Sequence, residues 1–430
     1  MSGSWRIGPF VAVGLLVAGC AAQDDVGGAP ATTEPAAGVD VNAEVGGWTA
    51  VPVLEGTTPD GGFVLHPLNS IVTGIWFGDL EHGAISLHGD SQTSSQGGAL
   101  QYLDAPDHPA GTAVEGVGAG LDGQNESWIG LSDTPDGLVA LGTFGQLLYV
   151  STDEGRTFTQ RQGSAAQVPN ARPYWLDADT AGVWHEMDSI GNVWSSPTAP
   201  GPDAVWTRTW QPEASPPAPD PVPAEACQFS FHQGYYAFDA QQSFWVSSDG
   251  TTMLYGAGYG SAPSGVCRST DGGRTFLPVA FPDPPGTGDQ IPYVLLFPSD
   301  THGIAARAND QFDGESYVYT TDDGGATWTA GTLPEAVNAA GSRTAFTGGF
   351  CAPGQTARCW LVGFAGDDSH GVLLRTDDGG ATWTDLSEGL QPFMDVYVYE
   401  KLHTGFALDA DHIWIGGARG LLLYSDTGGE

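Results

Sequence analysis

The chain is poor in positive charge. Its 430 residues carry 13 Lys and Arg against 51 Asp and Glu, a formal net charge of −38. Such a surface repels nucleic acid and anionic lipid head groups, so neither is expected as a direct partner. Solubility at a cell surface and cation binding by acidic loops both fit it. Long helical periodicity is absent. The apolar run from Ile7 to Ala18 is too short and wrongly flanked for a stable transmembrane helix. Catalytic signatures are also missing. No Gly-x-Ser-x-Gly elbow marks a serine nucleophile, and no acidic segment has the full spacing of an EF-hand loop. Cysteine is scarce, with five residues whose spacing suits no zinc site.

What is present is turn chemistry and a repeated phrase. Gly 63, Pro 30 and Trp 14 favour many short strands joined by turns. Thr321-Asp322-Asp323-Gly324-Gly325-Ala326-Thr327-Trp328 returns almost letter for letter as Thr376-Asp377-Asp378-Gly379-Gly380-Ala381-Thr382-Trp383. It returns with changes as Ser269-Thr270-Asp271-Gly272-Gly273-Arg274-Thr275-Phe276 and Ser151-Thr152-Asp153-Glu154-Gly155-Arg156-Thr157-Phe158. The skeleton is Ser/Thr, any, Asp, any, Gly, any, Thr, aromatic, and such self-similarity marks a repeat architecture. Each copy has the chemistry of a tight turn between strands. The Asp carboxylate is expected to accept from backbone N–H groups one or two residues on. The Gly supplies an angle that a Cβ resists, and the Thr hydroxyl ties the far side. The aromatic opens the next strand and covers the edge of the unit with apolar area.

This octapeptide resembles the Asp-box, or BNR, repeat of β-propellers, found in sialidases, xyloglucan-degrading hydrolases, sortilin-type receptors and the photosystem II assembly and stability factor family. The resemblance implies the fold. It also implies that Asp153, Asp271, Asp323 and Asp378 are scaffold residues away from the functional face. An activity does not follow, since one fold hosts many functions. Asp271, Asp323 and Asp378 lie roughly 50 to 55 residues apart, and Asp153 to Asp271 is roughly twice that, which leaves room for one degenerate unit. The expected fold is all-β: a single propeller of seven four-stranded blades, with six or eight as the neighbouring counts. Units start near Ile71, Trp128, Tyr174, Phe244, Tyr293, Thr344 and Val396, and the third has a decayed turn near Ser195. Gly46-Gly47-Trp48-Thr49 resembles the tail of the octapeptide without its head. Leu422-Leu423-Tyr424-Ser425-Asp426-Thr427-Gly428-Gly429 resembles a head without its tail. A strand from about Trp48 to Val53 is therefore expected as the outer strand of the last blade, closing the ring.

The flanking segments read differently. Leu16-Val17-Ala18-Gly19-Cys20 closes an apolar region and resembles the lipobox of bacterial lipoproteins. The resemblance implies a signal peptide over 1–19, lipid on Cys20 and a place in the cell envelope, at the outer membrane or cell surface. Residues 20–45 lack aromatics and read as a disordered tether, 46–430 as the propeller. The Pro-rich stretch at 211–223 reads as a stiff extended insert.

With Cys20 taken by lipid, four cysteines remain. An even number in an exported chain points to disulfides, and four allow three connectivities. Cys351 and Cys359 flank a turn-rich loop and suit a hairpin staple, which leaves Cys227 with Cys267.

Chemistry is harder to find. His185, His302, His370, His403 and His412 read as turn or surface residues rather than ligands. Asp177-Ala178-Asp179 and Asp409-Ala410-Asp411 can each offer carboxylates to Ca²⁺, and ordinary acidic turns account for both; no other cofactor is implied. A sialidase clamps a carboxylate with three arginines and carries an F/Y-R-I-P motif, to which only Ala171-Arg172-Pro173-Tyr174 is superficially similar. Arg156 and Arg274 lie inside octapeptides, and Arg268 and Arg375 just before them, which leaves Arg172, Arg307 and Arg343 to approach the face of the ring. A glycosidase needs two facing carboxylates, and this chain has many. Xyloglucan-degrading relatives, however, pair two propellers, and the length here suits one. Asp411-His412-Ile413-Trp414 through Leu421-Leu422-Leu423-Tyr424 resembles the Gly-rich strand repeat of the photosystem II assembly factor family, which implies an assembly role. The leading expectation is a monomeric, lipid-anchored scaffold for an envelope protein or polysaccharide. The alternatives are a tethered glycoside hydrolase and a purely structural envelope protein.

Overall fold

A computed structural model describes residues 44–430 except 58–63, 66–69, 90–97, 105–111, 114–127, 143–147, 164–172, 211–226, 228–243, 258–264, 283–291, 308–315, 339–343, 366–369, 395–400 and a few single positions. The segment at 1–19, Cys20, most of the expected tether and the Pro-rich insert lie outside the described residues. The described part opens with strand Glu44–Val45, slightly earlier than the expected boundary.

Seven antiparallel sheets form the blades, and a two-stranded ribbon, Gly56–Thr57 with Val64–Leu65, precedes the first of them. Blade 1 comprises Ser70–Phe77, His82–Gly89, Gly98–Asp104 and Thr112–Ala113. Blade 2 comprises Trp128–Thr134, Gly137–Gly142, Leu148–Ser151 and Thr159–Arg161. Blade 3 comprises Pro173–Ala178, Trp184–Asp188, Val193–Ser196 and Thr207–Trp210, and blade 4 Phe244–Val246, Met253–Ala257, Gly265–Ser269 and Leu277–Ala280. Blade 5 comprises Pro292–Leu296, Gly303–Arg307, Tyr317–Thr321 and Thr329–Ala330, and blade 6 Thr344–Cys351, Cys359–Ala365, Gly371–Thr376 and Thr384–Asp385. Blade 7 joins Leu402–Ala407, Ile413–Gly417 and Leu422–Ser425 to the N-terminal strand Trp48–Ala50, with Glu44–Val45 outermost. The first strands of neighbouring blades pack on one another and form the inner ring, while the fourth strands are largely exposed. The described inner strand of blade 7 is Leu402–Ala407. The apolar run Val396-Tyr397-Val398-Tyr399 expected at its start lies outside the described residues.

The octapeptides form the turn from third to fourth strand, and their geometry repeats closely. The Ser/Thr hydroxyl donates to the Asp carboxylate at 2.8 Å in all four. The Gly N–H donates back to that hydroxyl at 2.8–3.0 Å. The Thr N–H and hydroxyl both reach the carboxylate, at 2.8–2.9 and 2.6–2.7 Å. The Asp thus ties the residue four positions on, farther along than the one or two expected, because the Ser/Thr hydroxyl takes the nearer amides.

The same turn also holds blade to blade. Its fourth residue adopts φ of 70°, 65° and 71° at Gly272, Gly324 and Gly379. There its N–H bonds the first hairpin of its own blade, through Thr251 O, Thr301 O and Ala357 O. Its carbonyl accepts from the preceding blade: Arg268 Nε to Gly324 O at 2.7 Å, His302 Nε2 to Gly379 O at 3.0 Å. The fifth residue leaves no room for a side chain. A Cβ on Gly325 would meet Leu254 of blade 4 at 2.3 Å, and one on Gly155 would meet Ala84 of blade 1 at 2.7 Å.

Both chain ends build the seventh corner. Ser425 accepts from Gly429 N at 3.0 Å, Gly428 and Gly429 take φ of 67° and 92°, and Trp360 Nε1 of blade 6 reaches Gly428 O at 3.1 Å. Thr427 stands where the other corners have Asp. The missing aromatic is Trp48, fully buried among Trp360, Phe393, Ile413 and Leu423, and its strand pairs Thr49 with Tyr424 and Ala50 with Leu423. Blade 3 keeps a reduced corner: Thr198 N donates to Ser196 Oγ at 3.3 Å, and Trp206 is buried ahead of the outer strand. Disulfides join Cys227 to Cys267 and Cys351 to Cys359, the second across paired positions of a hairpin.

Four variants test this account. Trp48→Ala should lower stability by about 3–5 kcal/mol, and deletion of 46–54 should lower Tm further, because the ring then opens. A Tm unchanged by the deletion would refute the closure. Asp378→Ala should cost about 1–2 kcal/mol through loss of the Thr382 contacts. Glu154→Gly should instead stabilise by up to about 1 kcal/mol, since Glu154 holds a φ of 62° that only glycine adopts freely. Guanidinium unfolding reads both.

Candidate functional site

The turns divide the propeller into two unlike ends. Hairpins between strands 1 and 2, and between strands 3 and 4, share one end. Connections from strand 2 to 3, and from each blade to the next, share the other.

The first end is committed to holding the fold. Beside the corners, a second family of carboxylates caps the first hairpins. Asp79 accepts from Glu81 N and His82 N at 2.7 Å, and Asp409 from Asp411 N and His412 N at 2.9 and 2.8 Å. Asp179 accepts from Ala181 N and Val183 N, both at 2.9 Å. The carboxylates considered for calcium at Asp179 and Asp409 are therefore turned onto their own backbone. Among the described residues no three His, Cys, Asp or Glu side chains converge as a metal site. At Asp271, partial burial opposes ionisation, but the hydrogen bonds from Thr275, Ser269 and Arg274 outweigh it and hold the carboxyl down at about 2.

One constellation at this end escaped the sequence reading. His185 is buried on a strand, not at the surface as expected. Its Nδ1 lies 3.0 Å from Ser195 Oγ and its Nε2 lies 3.3 Å from Asp179 Oδ2. Burial pushes its pKa down, against the pull of Asp179. The order Ser, His, Asp is that of a hydrolytic relay, but Ser195 sits within a sheet, paired with His185 on one side and Thr207 on the other. It is not on the exposed elbow that presents a nucleophile beside oxyanion donors. Gly250 of blade 4 closes over the pair, where a Cβ would stand 2.4 Å from Asp179 Oδ2. The relay stays within blade 3, whose corner lacks its Asp; beside it Thr180 N and Oγ1 donate to Ser248 O of blade 4 at 2.8 and 2.6 Å and bond the seam.

Asp177, the other carboxylate considered for calcium, lies on the inner strand of blade 3. Burial raises its carboxyl to about 6, against a hydrogen bond from Ala178 N and with the charge of Asp133 adding to the rise. Arg172 and Arg343 lie outside the described residues.

The second end is marked by the inner strands. Six of them carry a one-residue bulge near their start, at Thr73, Ile129, Tyr174, Tyr293, Thr347 and His403. A bulge bends its strand and re-aims a side chain, and bulges concentrate at barrel rims and beside active sites. One of these residues also stitches the ring: Thr347 Oγ1 donates to Leu402 O of blade 7 at 2.6 Å, whereas Thr73 Oγ1 lies 3.1 Å from Ser86 Oγ of its own blade. The glycines that follow allow backbones to touch, since a Cβ on Gly74 would meet Leu131 N of blade 2 at 2.5 Å.

Blades 7 and 1 add basic side chains at this rim, and blade 6 an aromatic ring. Lys401 precedes the inner strand of blade 7, and its Nζ lies 4.2 Å from the centre of the Phe364 ring of blade 6. Desolvation, then the charge of Lys401, then His88 push the His403 imidazole down to about 3. Desolvation alone pushes His88 of blade 1 down to about 4. Both rings are neutral near pH 7.

Because both folded-state values lie below the ordinary 6.5, the unfolded chain takes up more protons as pH falls. The stabilisation is complete above about pH 6.5 and is lost as pH falls through about 4 and about 3. His403→Gln should flatten Tm against pH between 6.5 and 4, and a slope equal to that of the parent chain would contradict this. The corner carboxylates add a further loss in the same direction below about pH 4.

No protein-family model and no curated protein sequence matches this chain. Solved structures do match. A structure described as YCF48 bound to D1 peptide aligns with a TM-score of 0.54 at 15% identity, covering 89% of this chain and 97% of that one. A GH74 xyloglucanase from Xanthomonas campestris aligns at 0.56 and 16% identity, covering 89% of this chain but only 53% of the enzyme. The extracellular domain of the one component system BT4673 from B. thetaiotaomicron aligns at 0.50 and 9%, covering 83% of this chain and 38% of that one. At these identities the likeness is one of fold: the chain is a seven-bladed β-propeller.

Proposed function

We propose that this protein is an extracytoplasmic propeller, anchored through lipid on Cys20, that serves as a binding or assembly scaffold for a protein partner in the cell envelope. The observation that carries the reading is the inequality of the two ends. Corners and capped hairpins occupy one end with internal hydrogen bonds. The other gathers the bulged inner strands and the cluster of Lys401, His403 and His88. A rim built in this way suits recognition by a face, and it needs no catalytic constellation. The fold-level likeness to a propeller solved with a bound peptide supports the reading as analogy. Lipid on Cys20 follows from the lipobox-like sequence.

Crosslinking and affinity capture from envelope fractions test the scaffold role, with the expected result a defined protein partner held by the full chain. Labelled palmitate should enter the parent chain and not Cys20→Ser. A panel of aryl glycosides tests the hydrolase alternative. Turnover above the rate of a denatured control, with no partner captured, would replace the scaffold reading with the enzymatic one.

A further inference from the structure

Three seams of the ring are closed in the same manner by different donors. A corner carbonyl accepts from Arg268 between blades 4 and 5, from His302 between blades 5 and 6, and from Trp360 between blades 6 and 7. A guanidinium and an indole keep their N–H groups at any pH in which the chain folds. An imidazole does not: how many N–H groups it carries depends on one proton.

The local sequence turns His302 toward the seam. His82 and His412 hold the matching hairpin position in blades 1 and 7, three residues after Asp79 and Asp409, and each directs Nδ1 onto that carboxylate. In blade 5 the capping residue is Ser299, whose Oγ accepts from His302 N at 2.9 Å. Without a carboxylate in its own hairpin turn, the His302 ring reaches outward. Its Nδ1 lies 2.7 Å from Asp322 Oδ1 on the corner of blade 5, and its Nε2 lies 3.0 Å from Gly379 O on the corner of blade 6. The side chain is 17% exposed. It lies against the blade 6 corner, where a Cβ on Gly379 would stand 2.6 Å from Nε2.

Both of these neighbours only accept, one as a carboxylate and the other as a carbonyl. A neutral imidazole has one N–H, so its second nitrogen turns a lone pair toward an acceptor. Both contacts are hydrogen bonds only in the imidazolium. The other charged groups on the elements around the ring are engaged elsewhere. Asp300 of the same hairpin accepts from Ser248 N of blade 4. Asp323 and Asp378 hold their own corners through Thr327 and Thr382. Asp377 pairs with Arg358 and Arg375 of blade 6.

We propose that His302 is a proton-operated latch between blades 5 and 6. As the imidazolium it bonds Asp322 and the Gly379 carbonyl together. On deprotonation the shorter, charge-assisted bond to Asp322 keeps the remaining proton on Nδ1. The Nε2 lone pair then faces the Gly379 carbonyl, and the corner of blade 6 loses its hold on blade 5. Imidazoles exchange this proton between about pH 5 and 8, so the latch is closed at the acid end of that span and open at the other. Its sense is opposite to that of the buried His88 and His403, which weaken the fold in acid, so the readout must be local rather than Tm.

Two measurements on the full chain provide it. With ¹⁵N-histidine labelling, and His302→Ala to assign the signals, both ring nitrogens of His302 should be protonated at about pH 5, and Nδ1 alone at about pH 8.5. Hydrogen exchange, corrected for the intrinsic effect of pH, compares the blade 6 corner at 376–383 with the blade 5 corner at 321–328, which Arg268 holds. Protection of 376–383 relative to 321–328 should fall about fivefold between the two pH values, the worth of one net hydrogen bond. His302→Ala should show the lower ratio at both, and His302→Arg, a permanent donor, a ratio that does not change with pH. A proton on Nε2 rather than Nδ1 at about pH 8.5, a constant ratio in the parent chain, or a pH dependence that persists in His302→Ala would overturn the proposal.

Discussion

The structure depends on a short turn that bonds in two directions at once. Within a blade, one carboxylate and one hydroxyl satisfy the amides that reverse the chain between third and fourth strands. Between blades, the glycine in the middle turns its N–H toward its own first hairpin and its carbonyl toward the preceding blade. The left-handed backbone at that position makes this division possible, and the absent Cβ at the next lets the preceding blade come close. A blade is a small sheet with two apolar faces and cannot bury either alone. A turn that sets both the sheet and the distance to its neighbour therefore does much of the work of ring formation.

Where the turn has decayed, other groups take its place. Blade 3 has Thr198 at the Asp position, and Thr180, beside the buried Asp179–His185–Ser195 relay, ties it to Ser248 O of blade 4. Blade 7 has Thr427 there, and the ring is instead closed by Trp48 entering from the N-terminal segment. Aromatic contacts reinforce the same seams: Phe77 of blade 1 stacks on Trp414 of blade 7 at 3.9 Å, and Trp245 of blade 4 on Phe297, just past the inner strand of blade 5, at 4.0 Å. The donors at successive seams differ in kind, an arginine, a histidine and a tryptophan, because the carbonyl asks only for an N–H at the right distance.

Placing all this hydrogen bonding at one end leaves the other with different material. Bulges there bend the inner strands, and the Lys401 ammonium faces the Phe364 ring. The rim is built on a ring that the corners hold together.

The sequence by itself determined the repeat, and it pointed to seven units, to the pairing of the chain's two extremities and to the two disulfides. Each leaves a linear mark: an octapeptide with fixed hydrogen-bonding partners, an aromatic detached from its turn, and two cysteines flanking one turn-rich loop. Only the tertiary structure decided the rest. His185 reads as an ordinary surface residue until Asp179 and Ser195 are brought to it from a turn and a neighbouring strand. Lys401, Phe364, His403 and His88 come from three blades and share no spacing that a linear reading could detect. Bulges leave no mark in composition, because the extra residue is Thr, Ile, Tyr or His and is defined only by what it fails to pair with. Turn chemistry acts between residues a few positions apart, whereas a rim is made by closing a ring.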